Sequence, residues 1–432
     1  MWSPINFLLL LEQAEQQKAF RMAAEAQLLL LVLLLAWPWP FFVGSLASLH
    51  PVVLLPAYSC SQLDARLTHE FEPSTAPSCG APMGKGWFRL WENYTADPAL
   101  VPCYAELLRL VYDPVAGDYR NVQGVETRVV PFRAKRGFGS DDPATKEGEN
   151  LFGAPYDFRY APAPAGQASR KFSRFLSNLR MLVEQASERN GDMPVILVTH
   201  SFGGLNANVF LSRSPLAWRR RYVKHFVMVS TGAGGGVFPL QFGGSSNSSS
   251  PPTDPLSFAN TRLSFATAFS VLPSPKVFGH APLVVTRAKN YSAYDIPEYL
   301  KANGFSDDEV ARYVTRVVPV TLSFGAPGVP VTCINGIGVP TVERLVYWDG
   351  DFGAKPQVVY SDGDGAINIA SMLALDTLIG AQPEQDYFRS ILIHNTSHVG
   401  VISDDFALRR VVNEVLDANA NSMNAVDKKQ QC

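Results

Sequence analysis

Charge is scarce in this chain. Only 18% of its 432 residues are Asp, Glu, Lys or Arg, and 37 basic side chains nearly balance 39 acidic ones. The basic residues are scattered, with no stripe or tail of one sign, which argues against a nucleic-acid partner. An apolar run of the roughly 20 residues needed to span a bilayer is also missing. The longest candidate, Leu28 to Val43, is shorter and carries Pro38 and Pro40, which break helices. Cysteine is sparse at five residues. What the chain has instead is apolar mass: 47% hydrophobic and 11% aromatic. That suffices for a large core, built as one large α/β domain with insertions or as two domains. Plentiful aromatics with little charge suit a protein that handles apolar ligands, although any large core has the same composition.

The Leu28–Val43 run follows Lys18 and Arg21 and precedes Ser45-Leu46-Ala47. A basic flank, an apolar stretch and a small-residue exit describe a secretory signal, so residues 1–47 are predicted to be a signal peptide or an uncleaved signal anchor. Export to the secretory lumen or beyond agrees with four Asn-X-Ser/Thr sequons, at Asn93, Asn247, Asn290 and Asn395. In that setting at least one disulfide is expected. Cys79 and Cys103 bracket Trp87 and Trp91 and are the natural pair; Cys60, Cys333 and Cys432 have no evident partner.

From residue 48 onward, short apolar runs alternate with helical stretches. Pro51–Pro56, Pro194–Val198, His225–Val229, Val331–Ile334, Gln357–Tyr360 and Ser390–His394 read as strands. Helices are expected over Lys171–Arg189, after Leu205, and over Asp404–Ala418 with Ser403 as cap. This alternation predicts a mostly parallel, doubly wound sheet. Gly232–Pro255, rich in Gly, Ser and Pro, reads as a mobile loop.

The strongest local signal is Val198-Thr199-His200-Ser201-Phe202-Gly203-Gly204, directly after a strand and before a helix. This is the setting of a nucleophile elbow, in which residues two away from the serine must be small for strand and helix to approach. Gly203 meets that need, while Thr199 stands where glycine is usual. The plainer reading is an ordinary serine on a glycine-rich turn. A nucleophilic serine needs a base and an orienting acid, which in α/β-hydrolases follow in the order Ser, Asp, His. Asp364, within Asp362-Gly363-Asp364-Gly365, and His398 complete that order. Asp364 would otherwise be a turn residue; a calcium role is disfavoured because the rest of an EF-hand loop is missing. His394 is expected to point into the sheet, His398 to lie in the loop beyond. The oxyanion donors are expected at the backbone N–H groups of Phe202 and Tyr58.

These motifs together resemble the lecithin:cholesterol acyltransferase family, especially its plant branch. The resemblance rests on His50–Pro56 with Gln62–Ala65, Phe88–Trp91, Gly153–Arg159, His200–Gly204, Pro327–Pro330 ahead of Cys333, Asp362–Gly365 and Ser397-His398. It implies an α/β-hydrolase core over 48–432 with a cap, a lid and a membrane-binding insertion. It also implies a Ser201–Asp364–His398 triad with oxyanion donors at Tyr58 and Phe202. The 79–103 segment would be the disulfide-closed insertion in which Trp91 engages lipid, and 232–325 the cap and lid region. The implied donor is a phospholipid at a membrane or lipid-particle surface, and the acceptor a sterol or other lipid alcohol. Water as acceptor would make a phospholipase. No metal or organic cofactor is implied.

Several positions depart from the family pattern. Ala57 stands where glycine is usual beside the oxyanion loop, Gly234-Gly235 replaces a Pro-aromatic pair, and Ala366 replaces a threonine. Cys333 is expected to be a buried thiol. Between Phe132 and Leu151 the family's helix, crossing between two parallel strands, is replaced by a polar connection, Arg133 to Asn150, which predicts bare sheet surface and a threat to activity.

Overall fold

A computed structural model of the chain describes residues 49–91, 98–130, 149–242 and 254–420. The N-terminal apolar run, Asn93, Asn247, Cys432 and most of the Arg133–Asn150 connection lie outside the described residues.

Six strands form the central sheet: β1 (Val52–Leu55), β2 (Leu151–Gly153), β3 (Val195–His200), β4 (Val223–Val229), β5 (Val331–Ile337) and β6 (Phe388–His394). Their order is β6-β5-β4-β3-β1-β2, and every neighbouring pair is parallel. This is the α/β-hydrolase arrangement expected from the sequence. The inner strands read as unbroken apolar runs because both their faces are covered. Val195 and Leu197 of β3 face one layer, with Leu179 and Val183 of helix α1 (Arg170–Arg189) and Phe210 of α2 (Phe202–Ser212). Ile196 and Val198 face the other, against Leu408, Val411 and Val415 of α3 (Asp405–Ala420). Apolar spacings of three and four residues place these groups on one side of each helix.

The chain leaves β1 for β2 on one side, then crosses back to β3 and continues through β4 to β6 on the other. The crevice where strand order reverses, at the carboxyl ends of β1 and β3, is where such sheets hold ligands. Ser201 and the Pro56–Ser59 loop both lie there.

Some expectations need correction. Gln357–Ser361 is a strand, but it pairs antiparallel with Thr341–Val346 in a separate sheet. Val125–Val129 belongs to an antiparallel sheet with Leu63–Leu67, which also pairs with Phe88–Trp91. The connection after it therefore does not cross between two parallel strands. Where it ends, Phe152 of β2 is buried in the same core as α1, so that face of the sheet edge is covered. Ser403 ends a short helix, Gly400–Ser403, and does not cap α3.

Gly232–Val237, the start of the stretch expected to be a mobile loop, is a packed turn. Ala233 N–H donates to the Ser371 carbonyl at 2.8 Å, and Gly236 N–H to that of Val271 at 3.0 Å. A Cβ on Gly234 would meet Val277 at 2.5 Å, which leaves no room for a Pro-aromatic pair. Glycine serves close packing here, not mobility. Leu240, Phe269 and Tyr299, in the 232–325 region expected to be cap and lid, share a hydrophobic core with Val342, Leu345 and Tyr347, so that region packs on residues well past 325. Among the described residues no helix is long and apolar enough to cross a membrane.

His225 of β4 is buried and its Nε2 lies 2.8 Å from Thr332 Oγ1. Burial, reinforced by the Lys224 charge, pushes its pKa down to about 4. Unfolded, the imidazole titrates near 6.5. The unfolded chain therefore binds the extra proton between these values, and stability is lost as pH falls through that window. At pH 5 the loss from this one group is about 2 kcal/mol. Urea unfolding at pH 7.5 and pH 5 should show His225→Gln losing less stability on acidification than wild type, by that amount. Equal losses in both proteins would refute the assignment.

Candidate active site

Ser201 occupies the turn between β3 and α2 with φ 54° and ψ −123°. A side chain at positive φ is strained and persists only where surrounding contacts enforce it. Here Ser201 N–H donates to Val229 O at 2.8 Å, and its carbonyl accepts Gly204 N–H at 2.9 Å and Thr231 Oγ1–H at 3.2 Å. A Cβ on Gly203 would lie 2.5 Å from the Pro56 carbonyl oxygen, and one on Gly204 2.3 Å from Thr231 Oγ1. Sequence reasoning required the first glycine and passed over the second. Thr199 fits as a strand residue whose hydroxyl bonds Val227 O at 3.3 Å.

The structure brings Ser201, His398 and Asp364 into one hydrogen-bonded line. His398 Nε2 is 2.8 Å from Ser201 Oγ, and Nδ1 is 2.7 Å from Asp364 Oδ2. The second oxygen of Asp364 accepts Ala366 N–H at 3.0 Å and Ile367 N–H at 2.7 Å. Asp364 is 1% exposed, and these donors hold its carboxylate toward the imidazole. A carboxylate at Nδ1 selects the tautomer in which Nδ1 carries the proton, leaving Nε2 to accept from the serine hydroxyl. Asp362 acts on the turn instead, its Oδ1 accepting Gly338 N–H at 2.6 Å. His394, expected to point into the sheet, is exposed.

Two residues that sequence reasoning left without a role hold the histidine loop. His200 Nε2 lies 3.1 Å from the His398 carbonyl oxygen, which also accepts Ser230 Oγ–H at 3.0 Å. Burial, together with the nearby His398, pushes the His200 pKa down to about 3. A neutral His200 donates without placing a second positive charge beside the imidazole that must accept a proton. The only sequence signal was its place directly before the nucleophile.

The loop carrying the expected oxyanion donor is pinned by its carbonyl groups. Pro56 O accepts Tyr156 O–H at 3.0 Å, Ala57 O accepts Cys60 N–H at 3.3 Å, and Ser59 O accepts the Trp91 indole N–H at 2.6 Å. The positive φ falls on Ser59, at 61°, so Ala57 replaces glycine where no left-handed conformation is needed. The Tyr58 ring packs edge-on against Phe158 at 5.3 Å and Phe202 at 6.3 Å. Phe202 opens α2, where helix geometry leaves the amide without an intrahelical acceptor. Nucleophile, base, acid and candidate amide donors together make a site suited to acyl transfer through a covalent serine ester.

Trp91 is 8% exposed and packs on Phe158 at 5.7 Å. This corrects the expectation that it faces lipid: its indole backs the oxyanion loop. Cys79 and Cys103 are disulfide-bonded, and Cys333 is a buried thiol beside Met228. The Asp157-Phe158-Arg159 motif ties the layers together. Arg159 is fully buried, bidentate to Asp157 at 2.8 and 2.6 Å, and it donates to Leu108 O and Thr127 Oγ1.

Trp91→Phe keeps the ring packing and removes the bond to Ser59. We expect kcat on a short soluble ester to fall about tenfold, a fraction of what losing an oxyanion donor outright costs, with KM and vesicle binding nearly unchanged. Lost vesicle binding at unchanged kcat would restore the lipid-facing role.

Known proteins are similar to this chain along most of its length. A family model described as lecithin:cholesterol acyltransferase matches residues 144–315, a stretch that contains Ser201. The lecithin-cholesterol acyltransferase-like 1 protein of Oryza sativa subsp. japonica is 44% identical over 389 residues, covering 87% of this chain and 88% of that one. The lysosomal phospholipase A and acyltransferase of Canis lupus familiaris is 29% identical over 362 residues, covering 78% and 84%. Among solved structures, that of the Tle4–Tli4 complex matches with a TM-score of 0.50 at 11% identity, over 87% of this chain and 99% of that one, a likeness of fold alone. With a plant relative at 44% identity along most of its length, this chain belongs to the lecithin:cholesterol acyltransferase family.

Proposed function

We propose that the chain is a lipid acyltransferase that moves a fatty acyl group from a phospholipid to a sterol or other lipid alcohol through an ester on Ser201. The observation that carries this reading is the Ser201–His398–Asp364 line, with hydrogen bonds of 2.8 and 2.7 Å. Ser201 Oγ attacks the donor's ester carbonyl while its proton passes to His398 Nε2. Asp364 stabilises the imidazolium, and the Tyr58 and Phe202 amides receive the oxyanion. Collapse of that intermediate expels the lysophospholipid alkoxide, which takes the proton from Nε2. The acceptor alcohol then gives its proton to Nε2 and attacks the acyl-enzyme, forming the new ester and freeing Ser201.

Hydrolysis is the second reading, with water in place of the alcohol and a free fatty acid as product. The canine relative is named for both a phospholipase A and an acyltransferase activity, which favours keeping it. A catalytically weak lipid-binding protein, the third possibility, fits poorly with a relay already at hydrogen-bond distances. A secretory-lumen location is supported by the Cys79–Cys103 disulfide and by exposed sequon residues at Asn290 and Asn395. The membrane or lipid-particle surface as working site belongs to the same proposal.

The test incubates the protein with phospholipid vesicles, with and without sterol, beside Ser201→Ala, and identifies products by mass spectrometry. Steryl ester dependent on Ser201 supports transfer; free fatty acid alone moves the reading to hydrolysis; product formation by Ser201→Ala would refute the nucleophile. Asp364→Asn should lower kcat by the order of 10⁴-fold, as when the acid of a Ser-His-Asp triad becomes an amide. Asp362→Asn should cost far less, and the reverse ranking would reassign the acid.

A further inference from the structure

We propose that the cleft between the antiparallel hairpin Leu110–Asp113/Asp118–Asn121 and the 260–312 segment binds an anionic amphiphile, its carboxylate or phosphate head held by Arg109 and Arg312 and its chain against Leu263, Phe269 and Phe305. The cleft encloses about 580 Å³, within the usual range for small-molecule sites. It is separate from the reaction centre, since Ser201, His398 and Asp364 do not line it. Between the two stand buried rings: Phe265 packs on Phe158 at 6.1 Å, and Phe158 on Tyr58 at 5.3 Å.

Arg109 directly follows the helix Val101–Leu108, and the next residue is tied to the cap by Leu110 N–H donating to Ser264 Oγ at 3.0 Å. Arg312 is the last residue of the helix Asp307–Arg312 and lies over the Tyr112 ring at 4.7 Å. Among the described residues neither guanidinium is paired with a carboxylate, and the Nε of each is buried without a hydrogen-bond partner. Glu309, the one carboxylate in the cleft wall, is committed elsewhere. Its Oε2 accepts Ser306 N–H at 2.9 Å and O–H at 2.7 Å in a capping box. Neighbouring Arg316, by contrast, is spent on the Gly117 and Ala168 carbonyls at 2.8 and 2.6 Å.

Neither guanidinium has a carboxylate partner among the described residues to compete with an anion in the cleft, and the planar fork of donors matches a carboxylate or phosphate. Leu263, Phe269 and Phe305 add an apolar part of the wall that a free anion leaves unused. Head and chain recognition together define an amphiphile, and a cationic or uncharged head forfeits the first of them.

Calorimetric titration of the whole protein with decyl phosphate, decanoate, decanol and inorganic phosphate tests this. None of these ligands requires turnover, so the outcome is independent of the acyl-transfer reading. Saturable binding of decyl phosphate or decanoate is expected, weakened at least tenfold in Arg109→Gln/Arg312→Gln and, separately, in Leu263→Trp, which fills the cleft and keeps both arginines. The stronger of the two decyl anions identifies the head as phosphate or carboxylate. Thermal unfolding midpoints within a few degrees of wild type show that the variants fold. Decanol binding as tightly as the anions, inorganic phosphate binding as tightly as decyl phosphate, or anion binding unchanged in both variants would each overturn the proposal.

Discussion

Helix α2 can lie against the end of β1 only because Gly203 has no side chain; a Cβ there would stand 2.5 Å from the Pro56 carbonyl oxygen. That approach carries the nucleophile to the loop from which an oxyanion donor must come, across the point where strand order reverses. It also fixes which groups of the loop are free. The Pro56, Ala57 and Ser59 carbonyls are each taken, by Tyr156, Cys60 and Trp91. With three of its four carbonyls taken, the loop is held so that its amides can serve as donors, which is what a developing oxyanion requires. Strain at Ser201 is the counterpart of this contact, of order 1–3 kcal/mol for such a backbone, and the Val229 and Thr231 contacts hold it in place.

The base and acid depend on a longer detour. Between β5 and the acid, the chain makes an antiparallel excursion, Thr341–Val346 with Gln357–Ser361, and returns so that Val339 N–H meets Gly363 O at 3.0 Å. Asp364 is thereby delivered to the end of β5 although its own preceding strand lies in another sheet. His398 arrives after β6 and is fixed through its main chain, its N–H on Asp364 O at 2.7 Å and its carbonyl under His200 and Ser230. Backbone anchoring leaves the imidazole ring as the mobile proton carrier and keeps its support uncharged.

The parts legible in the sequence were those with local signatures. Apolar runs buried on both faces mark β1, β3, β4 and β5 because a parallel sheet imposes that pattern, and a serine between strand and glycine-rich helix marks the elbow. The choice of Asp364 over Asp362 was open to sequence order and turn context alone. What escaped were roles set by contacts distant in sequence. Trp91 and Ser59 are 32 residues apart, and His200 and His398 are 198 apart, and no local period encodes either bond. Gly232–Val237 was misread for a related reason, since glycine serves mobility in one setting and close packing in another, and only the neighbours decide which.

The cap and the acid turn are not independent bodies. Asn368, buried, donates to Val342 O at 2.7 Å and accepts the Val237 N–H of the cap base at 3.1 Å. Gly365 N–H, one residue past the acid, bonds Thr341 Oγ1 at 2.8 Å. Lifting the 232–237 turn would break the Val237–Asn368 bond, and each buried polar group left unmade costs about 1–3 kcal/mol. An acyl-enzyme on Ser201, as proposed, would be the same intermediate for transfer and for hydrolysis, so its fate would rest on which nucleophile reaches the carbonyl first. With the 232–237 turn bonded to the acid turn and the Pro56–Ser59 loop backed by the buried rings of Phe158, Trp91 and Phe202, the groups around Ser201 are held in place before either nucleophile arrives.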